Sequence, residues 1–450
     1  MLSLLFNCNS LIFIRKWWII IFLGLFLLNL LIFWPGQISL DSIVQLKEAM
    51  MGIYSDHHPP IMALFWRYLL VVFPYTSGLF IFHMLLLYSS CLIFIQALKE
   101  YPAKCVYLFY PLFPPIFLYS SMIWKDVGFA FSFLFVSAAI TYFVMHNKKP
   151  NMLQLFFILL ILFYGSAVKF QAIYCAPFML LGICYIFNNF KLNFKTLIYA
   201  VCAYAALFFV LNQFNNFLVP QAKKCDSWKF VKIYDLAGIS LDLNRPIFPD
   251  YILNYKNFSF DLVKEKFNYE RVDDIVFNAD SPIPRVETEE NRMQLLSLWK
   301  ETVFRHPVSY LKHRFRNWIR IIFAKPLEKL DTLDFNQFET FSWFAKLQSK
   351  GSILAKLVFF LLKAFRYLFS FIFVFIFMIF YLFLGFAKRK SRLGFILLMM
   401  NCAALTLVLV LSLFSMASLL RYVYMSVCLV HASHVIAYLL IKTSYSEAIP

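Results

Sequence analysis

The side chains of this chain that could do chemistry stand at the ends of long apolar runs. One group follows the first such run and contains Asp41 and Gln45. Apolar residues around them recur at helical spacing, which predicts a short amphipathic helix. In one interpretation Asp41 caps that helix or lies in its first turn. In the other it is a general base at the boundary of water and lipid, where the low dielectric raises its pKa.

A second group combines Tyr54, Asp56, His57 and His58 with the two prolines that follow them. The prolines hold the preceding residues in extended backbone, which favours a rigid turn. The histidines could bind a phosphate, orient an acid or hold a divalent metal near Asp41, although no complete ligand set stands at the usual spacing. The alternative is a solvated turn without a ligand.

Two lysines and one aspartate form a third group. Lys125 and Asp126 follow one apolar run, and Lys169 follows another. Adjacent residues of a helix do not face each other, so Lys125 and Asp126 are expected to have different partners. Either lysine could hold the phosphate of a lipid-linked substrate. The alternative for both lysines is snorkelling to the membrane surface.

The fourth group is Arg421 and Tyr422, near one end of the last apolar run. An arginine in an apolar helix is costly and is usually functional, and its planar guanidinium group fits phosphate oxygens. His431 and His434 share a face of the same helix. With His83, they are expected to be buried hydrogen-bonding residues and not ligands.

Composition places these groups in a membrane protein. The chain has 450 residues, of which 62% are hydrophobic and 15% are charged, and its mean hydropathy is +0.70. A soluble domain is nearer 45–50% apolar and about 25% charged, which excludes a soluble enzyme and a disordered chain. The net charge of +18 indicates basic loops on one side of a membrane and not a nucleic-acid partner.

Apolar runs predict an all-α polytopic protein with about ten transmembrane helices and no cleaved signal peptide. The run at 61–73 is short and is predicted to be an interfacial helix. The predicted spans are 17–34, 78–98, 105–121, 127–145, 152–164, 171–188, 197–218, 366–387, 393–414 and 418–441.

The distribution of basic residues predicts the orientation. Loops on the more basic side are expected to be cytoplasmic, which places both termini in the cytoplasm and all four polar groups on the outer face. The opposite short loops carry only Lys47, Arg67, Lys125 and Lys169. The more basic ends carry Arg15, Lys16, Lys99, Lys104, Lys148, Lys149, Lys191, Lys195, Lys388, Arg389, Lys390, Arg392 and Lys442.

Three domains follow from this pattern. Residues 1–218 form an N-terminal transmembrane module with a catalytic first outer loop at 35–77, and residues 353–450 form a C-terminal transmembrane module. Residues 219–352 mix charges and prolines and are predicted to form a mainly helical extracytoplasmic domain, with one helix near residues 289–304. Its basic and aromatic stretch at 310–323 is expected to lie on the membrane surface and to attract anionic lipid headgroups.

The order of these groups resembles the GT-C superfamily of membrane glycosyltransferases, which includes protein O-mannosyltransferases and lipid A aminoarabinose transferases. The similarity is greatest to a poorly characterised bacterial branch. Many relatives carry paired acids in the first loop, whereas Ser42 follows Asp41 here, so the second acid would be Asp126 or Asp56. The matching motif residues are Asp41, Gln45, Gly52, Tyr54, His58, Pro59 and Pro60, and a further similar segment carries Trp299, His306, Pro307, Tyr310, Leu311 and Arg314.

The resemblance implies an enzyme of the bacterial inner membrane that works on its periplasmic face. It would move a sugar, with inversion, from a polyprenyl-phosphate donor to a hydroxyl of a lipid, glycan or protein acceptor. Asp41 would be the general base, with Asp126 and His58 as further catalytic candidates. Lys125, Lys169, Arg421 and Tyr422 would hold the donor phosphate, while Gln45, Tyr54, Asp56 and His57 would contact substrate.

Two other functions fit parts of the pattern. A transporter or flippase for lipid-linked sugars should carry charges at mid-bilayer and related halves, whereas the unusual polar residues here gather on one predicted face. An O-antigen-type polymerase or ligase also works at the outer face with a large outer loop. The position of Asp41 and His58 in the first loop favours the glycosyltransferase.

Overall fold

The structure is a computed structural model that describes residues 8–220, 224–278, 280–286, 288–325, 360 and 367–448. All regular elements in these residues are helices. The part of the predicted outer domain at 326–352 lies outside the described residues. The helices are α1 (Cys8–Phe33), α2 (Leu40–Met51), α3 (Ile61–Leu69), α4 (Ser77–Ala97), α5 (Val106–Phe109), α6 (Pro114–Ser120), α7 (Lys125–His146), α8 (Met152–Ala167), α9 (Ala172–Phe187), α10 (Phe194–Leu218), α11 (Trp228–Leu243), α12 (Asp250–Leu253), α13 (Phe260–Lys266), α14 (Asp273–Val276), α15 (Glu289–Arg305), α16 (Pro307–Ile322), α17 (Phe371–Ala387), α18 (Arg392–Phe414) and α19 (Tyr424–Ala448).

Several helices have the length and composition of membrane spans. Five long apolar helices occur in the described residues: α4, α7, α10, α18 and the segment Leu420–Thr443, which includes most of α19. Four shorter apolar helices are Trp18–Phe33 within α1, α8, α9 and α17. These helices indicate a multi-pass membrane protein.

One predicted span is not a continuous helix. Residues 102–120 instead form two 3-10 turns, Pro102–Cys105 and Tyr110–Leu112, and the short helices α5 and α6. Pro111 and Pro114 lack the N–H that a helix interior requires, so the backbone turns where they occur. The uninterrupted run predicted at 105–121 is therefore wrong in its local structure.

The first predicted loop contains the expected amphipathic helix, α2. Its N-cap is Ser39, so Asp41 lies in the first turn and is not the cap. Gly52 ends the helix with φ 71°, a left-handed conformation that favours glycine. A Cβ at this position would lie 2.7 Å from Nη1 of Arg67, whose guanidinium donates to the carbonyls of Ala49 and Met50. The predicted interfacial helix is α3, which ends at Leu69.

Helix α7 lies at the centre of the apolar core. Most of its side chains are buried, and it packs against α4, α8, α9, α18 and α19. Because Lys125 begins α7, this packing fixes the position of the lysine and of the Trp124 indole before it.

The described residues from 224 to 325, here called the polar domain, have an apolar core of their own. Its buried side chains come mainly from α11 and from the short helices α12 to α14, with Leu295 of α15. Helix α15 confirms the helix expected near 289–304. The stretch at 310–323 is part of α16, and Arg314 there is buried, so that arginine is not free to attract lipid headgroups as expected.

Candidate functional site

A short backbone pairing brings the first loop to the start of α7. The Gln37 N–H donates to the Ser121 carbonyl at 2.7 Å, and the Ile123 N–H donates to the Gln37 carbonyl at 2.8 Å. In the first turn of α2, Ser42 Oγ donates to the Ile123 carbonyl at 2.7 Å. These bonds hold the first turn of α2, and with it Asp41, beside the N-terminus of α7.

Asp41 forms an ion pair with Arg421, in which Nη1 of the arginine lies 3.0 Å from Oδ2 of the aspartate. The guanidinium also lies over two aromatic rings, 5.2 Å from the centre of Trp124 and 5.1 Å from that of Tyr422. Trp124 is held in turn by its indole N–H, which donates to Ser39 Oγ at 2.8 Å. The arginine is therefore oriented by charge and by stacking.

His58 links Asp41 to Lys125. Lys125 Nζ donates to His58 Nδ1 at 2.6 Å, which assigns the ring proton of a neutral His58 to Nε2. That Nε2 atom lies 3.9 Å from Asp41 Oδ1. Asp41, His58, Lys125 and Arg421 thus form one contiguous group, here called the Asp41 cluster.

Within the described residues, some donors of this cluster lack hydrogen-bond partners. They are Nε2 of His58 and Nε of Arg421, together with Nε2 of Gln45 one turn along α2 from Asp41. Buried donors without partners are uncommon and costly. A ligand with several acceptor oxygens would satisfy them.

The charges of the cluster leave it net positive. Burial lowers the pKa of His58, and the Lys125 ammonium lowers it further, so His58 is neutral at pH 7. The pKa of His57 is likewise lowered by burial and by Lys125. Two cations, Lys125 and Arg421, therefore face one carboxylate, Asp41, and the excess positive charge favours an anion.

The structure corrects the expected pKa of Asp41. Burial raises the pKa of this carboxyl, but the combined charges of Arg421, Lys125 and the histidines outweigh burial and hold it well below its usual value. The sequence prediction placed Arg421 in the same site but considered only the low dielectric when it gave the pKa of Asp41, and left out the charge of that arginine. In this state Asp41 is a weak base.

Asp126 and Lys169 are paired with each other. Lys169 Nζ lies 2.5 Å from Asp126 Oδ1, and both side chains are buried. The ammonium also donates to the Tyr422 carbonyl at 3.1 Å. As predicted, Lys125 and Asp126 have different partners, but the buried pair supports the turn that carries Arg421, and neither group is open to a substrate.

The remaining predicted residues of the first loop divide into two sets. Gln45 and His57 lie beside the cluster, and the rings of His57 and His58 are 4.6 Å apart. Tyr54 is buried, and the charges of Arg67 and Glu48 act on it. Glu48 was missed by the sequence analysis, and its Oε1 accepts from both N–H and Oγ of Ser55.

Asp56 connects the turn at 54–60 to the polar domain. Its carboxylate accepts the backbone N–H groups of Cys225 and Asp226, and Ser227 Oγ donates to the carbonyls of Asp56 and His57 at 3.3 Å. The side chain therefore ties two segments together. This is a positioning role, and not the contact with substrate that the sequence predicted.

Replacing Asp56 with alanine is expected to loosen this tie. Loss of charge-assisted bonds to backbone amides costs about 1.5–3 kcal/mol, so hydrogen exchange at the amides of 225 and 226 should become faster by about 10- to 100-fold. Exchange in α7 should be unchanged. Equal protection in both proteins would contradict the role given to Asp56.

A second buried charged group lies in the polar domain and was not predicted. Asp235 lies 2.7 Å from Arg314 Nη2 and 3.4 Å from His313 Nε2, and it accepts the indole N–H of Trp299 at 2.8 Å. These residues are here called the Asp235 cluster. Trp299 and Arg314 had been singled out in the sequence, but Asp235 carries no sequence signal of its own.

The Asp235 cluster connects to the turn that precedes Arg421. Arg314 Nη1 and Asn317 Nδ2 both donate to the Ser415 carbonyl, at 2.7 and 3.1 Å. Ser418 Oγ and Asn317 Oδ1 are 2.5 Å apart. Helix α16 therefore holds the chain that leads to Arg421.

An apolar groove of about 790 Å³ lies between the broken segment at 106–115, α17 and α19. Phe113, His431 and His434 line it. The two histidines are hydrogen bonded at 2.9 Å, and His434 Nδ1 lies 2.5 Å from the hydroxyl of Tyr381. The predicted hydrogen bonding of these histidines is confirmed, but His431 and His434 are half-buried at the groove, whereas His83 is fully buried and lies 3.3 Å from the Tyr164 hydroxyl.

A metal at the Asp41 cluster stays a prediction. Among the described residues, no three His, Cys, Asp or Glu side chains come together as metal ligands. The Nδ1 atom of His58 already accepts from Lys125 and Nε2 carries the ring proton, so His58 could ligate a metal only after losing one of the two.

Comparisons with protein-family models, with curated proteins and with solved structures find no match for this chain. The helices and the Asp41 cluster define its class, which is a multi-pass membrane protein with a cationic site. The particular function has to be inferred from the chemistry of that site.

Proposed function

We propose that this protein is a membrane glycosyltransferase that moves a sugar from a polyprenyl-phosphate donor to an acceptor hydroxyl. The observation that carries the proposal is the Asp41 cluster, in which two cations and a histidine from separate parts of the chain meet one carboxylate. Unsatisfied donors and net positive charge at the ends of apolar helices suit a phosphate attached to a lipid.

Each cation has a distinct use in this proposal. The planar guanidinium of Arg421 can bind two phosphate oxygens at once, whereas the Lys125 ammonium acts as a point charge. A phosphate leaving group needs this charge because negative charge grows on its oxygens as the bond to the sugar breaks. Tyr422, which lies beside Arg421, supplies a further hydroxyl.

The proposed topology has ten spans, formed by α1, α4, the broken segment at 102–120, α7 to α10, and α17 to α19. The connections from α7 to α8, α9 to α10 and α17 to α18 contain Lys148, Lys191 and Lys388, at the ends away from the Asp41 cluster. The positive-inside rule then makes those ends cytoplasmic. Both termini face the cytoplasm, and the cluster faces the periplasm of a bacterial inner membrane.

The proposed reaction is a direct displacement. The acceptor oxygen bonds to the anomeric carbon, the bond from that carbon to the phosphate oxygen breaks, and its electron pair leaves with the polyprenyl phosphate. The acceptor proton passes to a carboxylate. Asp41 can take it once a donor phosphate competes for Arg421, because the pKa of Asp41 then rises.

The apolar groove beside α19 supports a lipid-linked donor. The α6 segment leads from this groove to Trp124 and Lys125, and α19 begins just after Arg421. A hydrocarbon chain in the groove and a phosphate at the cluster would therefore contact the same two parts of the chain. Because that chain is already out of water in the bilayer, the groove would contribute packing and position and not a hydrophobic transfer energy.

The test is sugar transfer by the full chain in membranes that receive radiolabelled polyprenyl-phosphate sugars. Replacing Asp41 with asparagine is expected to lower transfer by about 100-fold. The same variant should bind sugar-free polyprenyl phosphate more tightly than the wild type, because the competing carboxylate charge is gone. These opposite changes separate a catalytic role from loss of folding.

Asp261, an exposed residue of α13, provides the matched control: Asp261→Asn should transfer at the wild-type rate. Transfer by correctly inserted Asp41→Asn at the wild-type rate would remove Asp41 from the site. A wild-type chain that moves lipid-linked sugar across the bilayer without transferring it would support the flippase instead. Joining of long lipid-linked glycans, without use of a single-sugar donor, would support the polymerase or ligase.

A further inference from the structure

The polar domain brings another carboxylate, Asp273, to the same region. Asp273 begins the short helix α14, two residues after Arg271. The backbone of Arg271 forms an antiparallel bridge with Ala417, and the Ser418 N–H donates to the Glu270 carbonyl at 2.8 Å. Residues 270–273 are thereby fixed against the turn that carries Arg421.

Asp273 differs from its neighbour Asp274 in its contacts. Asp274 binds Arg271 at 3.4 Å and the side-chain amides of Asn268 and Asn278. The side chain of Asp273 is accessible to solvent, and among the described residues it takes part in no side-chain hydrogen bond or ion pair. It is therefore available to a substrate.

Other acids near the Asp41 cluster are already engaged. Asp41 is paired with Arg421, Asp56 accepts backbone amides, and Asp126 is paired with Lys169. These are the acids that the sequence analysis considered for the base and for the second acid. Asp273, in the segment paired with the turn that leads to Arg421, is not committed in this way.

The electrostatic surroundings of Asp273 favour a base. The surrounding protein removes part of the hydration of this exposed carboxyl, which raises its pKa, and the charges of Asp274 and Asp41 raise it as well, while Arg271 and Arg421 lower it; the net shift is upward. A proton acceptor works best when its pKa is close to the working pH. The pKa of Asp41 is shifted in the opposite direction.

We propose that Asp273 is the catalytic carboxylate that accepts the proton of the acceptor hydroxyl, while Asp41 orients Arg421 on the donor phosphate. This inference rests on the proposed function, and it moves the proton-accepting role from Asp41 to Asp273. The acceptor oxygen bonds to the anomeric carbon and its proton moves to a carboxylate oxygen of Asp273. The electron pair of the broken bond leaves with the polyprenyl phosphate, next to Arg421 and Lys125.

The experiment compares the full-length wild type with Asp273→Asn, Asp273→Glu and the control Asp261→Asn. The dependence of kcat/KM on pH is measured with radiolabelled polyprenyl-phosphate sugar in membranes, and binding of sugar-free polyprenyl phosphate is measured separately. A base must be deprotonated, so wild-type kcat/KM should fall as the pH drops through the pKa of Asp273.

Asp273→Asn is expected to lose about 100-fold or more in transfer. It should also lose the fall of kcat/KM at low pH, here called the acid limb. Its affinity for polyprenyl phosphate should stay within twofold of the wild type. Asp273→Glu should restore part of the transfer and the limb, which a merely structural role would not do. Asp261→Asn should match the wild type in every measurement.

The outcomes separate this inference from the proposed function. A wild type that neither binds polyprenyl phosphate nor transfers sugar overturns both. An active wild type whose acid limb survives in Asp273→Asn, but is lost in Asp41→Asn, overturns only the role of Asp273 and assigns the base to Asp41. Weaker binding of polyprenyl phosphate by Asp273→Asn, in proportion to its loss of transfer, also overturns that role.

Discussion

Replacing Arg421 with glutamine is expected to reduce sugar transfer by about 1,000-fold or more. An arginine that stabilises charge on a transferring phosphoryl group contributes on the order of 10³–10⁵ in rate, and the charge that grows on a leaving phosphate calls for the same kind of stabilisation. Here the guanidinium is held in place by Asp41, Trp124 and Tyr422, so little reorganisation precedes the reaction. Transfer is measured in membranes with radiolabelled polyprenyl-phosphate sugar, at equal amounts of inserted protein.

Two further variants make this prediction specific. Arg421→Lys keeps the charge but loses the planar fork, so it should be more active than the glutamine variant and less active than the wild type. Arg389→Gln removes an exposed arginine between α17 and α18 and should leave transfer unchanged. If Arg421→Gln transferred within threefold of the wild type, the proposed phosphate site would be wrong.

The same substitution should change the charge state of Asp41. Without Arg421 the largest influence that lowers the pKa of Asp41 is gone, while burial still raises it. The pKa should therefore rise, and any residual transfer that depends on an ionised Asp41 should fall off at a higher pH than in the wild type. Because Arg421 also lowers the pKa of Asp273, unchanged pH dependence would mean that neither Asp41 nor Asp273 acts in its ionised form.

Replacing Asp235 with asparagine is expected to destabilise the polar domain by about 3–5 kcal/mol. The carboxylate is fully buried and is the acid beside the equally buried Arg314. Removing one partner of a buried pair leaves the other charge without compensation. The free energy of unfolding, measured by denaturant titration of the purified chain with the tryptophan fluorescence as signal, reports the loss.

Paired substitutions test the cause of this loss. The double variant Asp235→Asn with Arg314→Met removes both charges and should be more stable than Asp235→Asn alone. Glu301→Gln breaks an exposed pair with Arg305 and should cost no more than about 0.5 kcal/mol. A double variant less stable than either single one would show that lost packing, and not the unpaired charge, dominates.

Local sequence determined the helices and several of their details. Long apolar runs, the spacing of apolar residues around Asp41 and the glycine after α2 depend on nearby residues, so they can be interpreted without a fold. The different partners of Lys125 and Asp126 also follow from helix geometry alone. The break at 102–120 could have been predicted from its prolines. The apolar composition of the run favoured one continuous helix instead.

The tertiary structure decided which charges meet. Arg421 could be recognised as unusual because it stands in an apolar run, but only helix packing places it on Asp41 and so reverses the expected shift of that pKa. Lys169 and Asp126 neutralise each other, and Asp56 holds backbone amides, although each resembled a site residue in the sequence. Asp235 and Asp273 gave no signal because an acid in a polar segment is ordinary. Coulombic energies depend on distance and burial, and both are set by chain segments far apart in sequence.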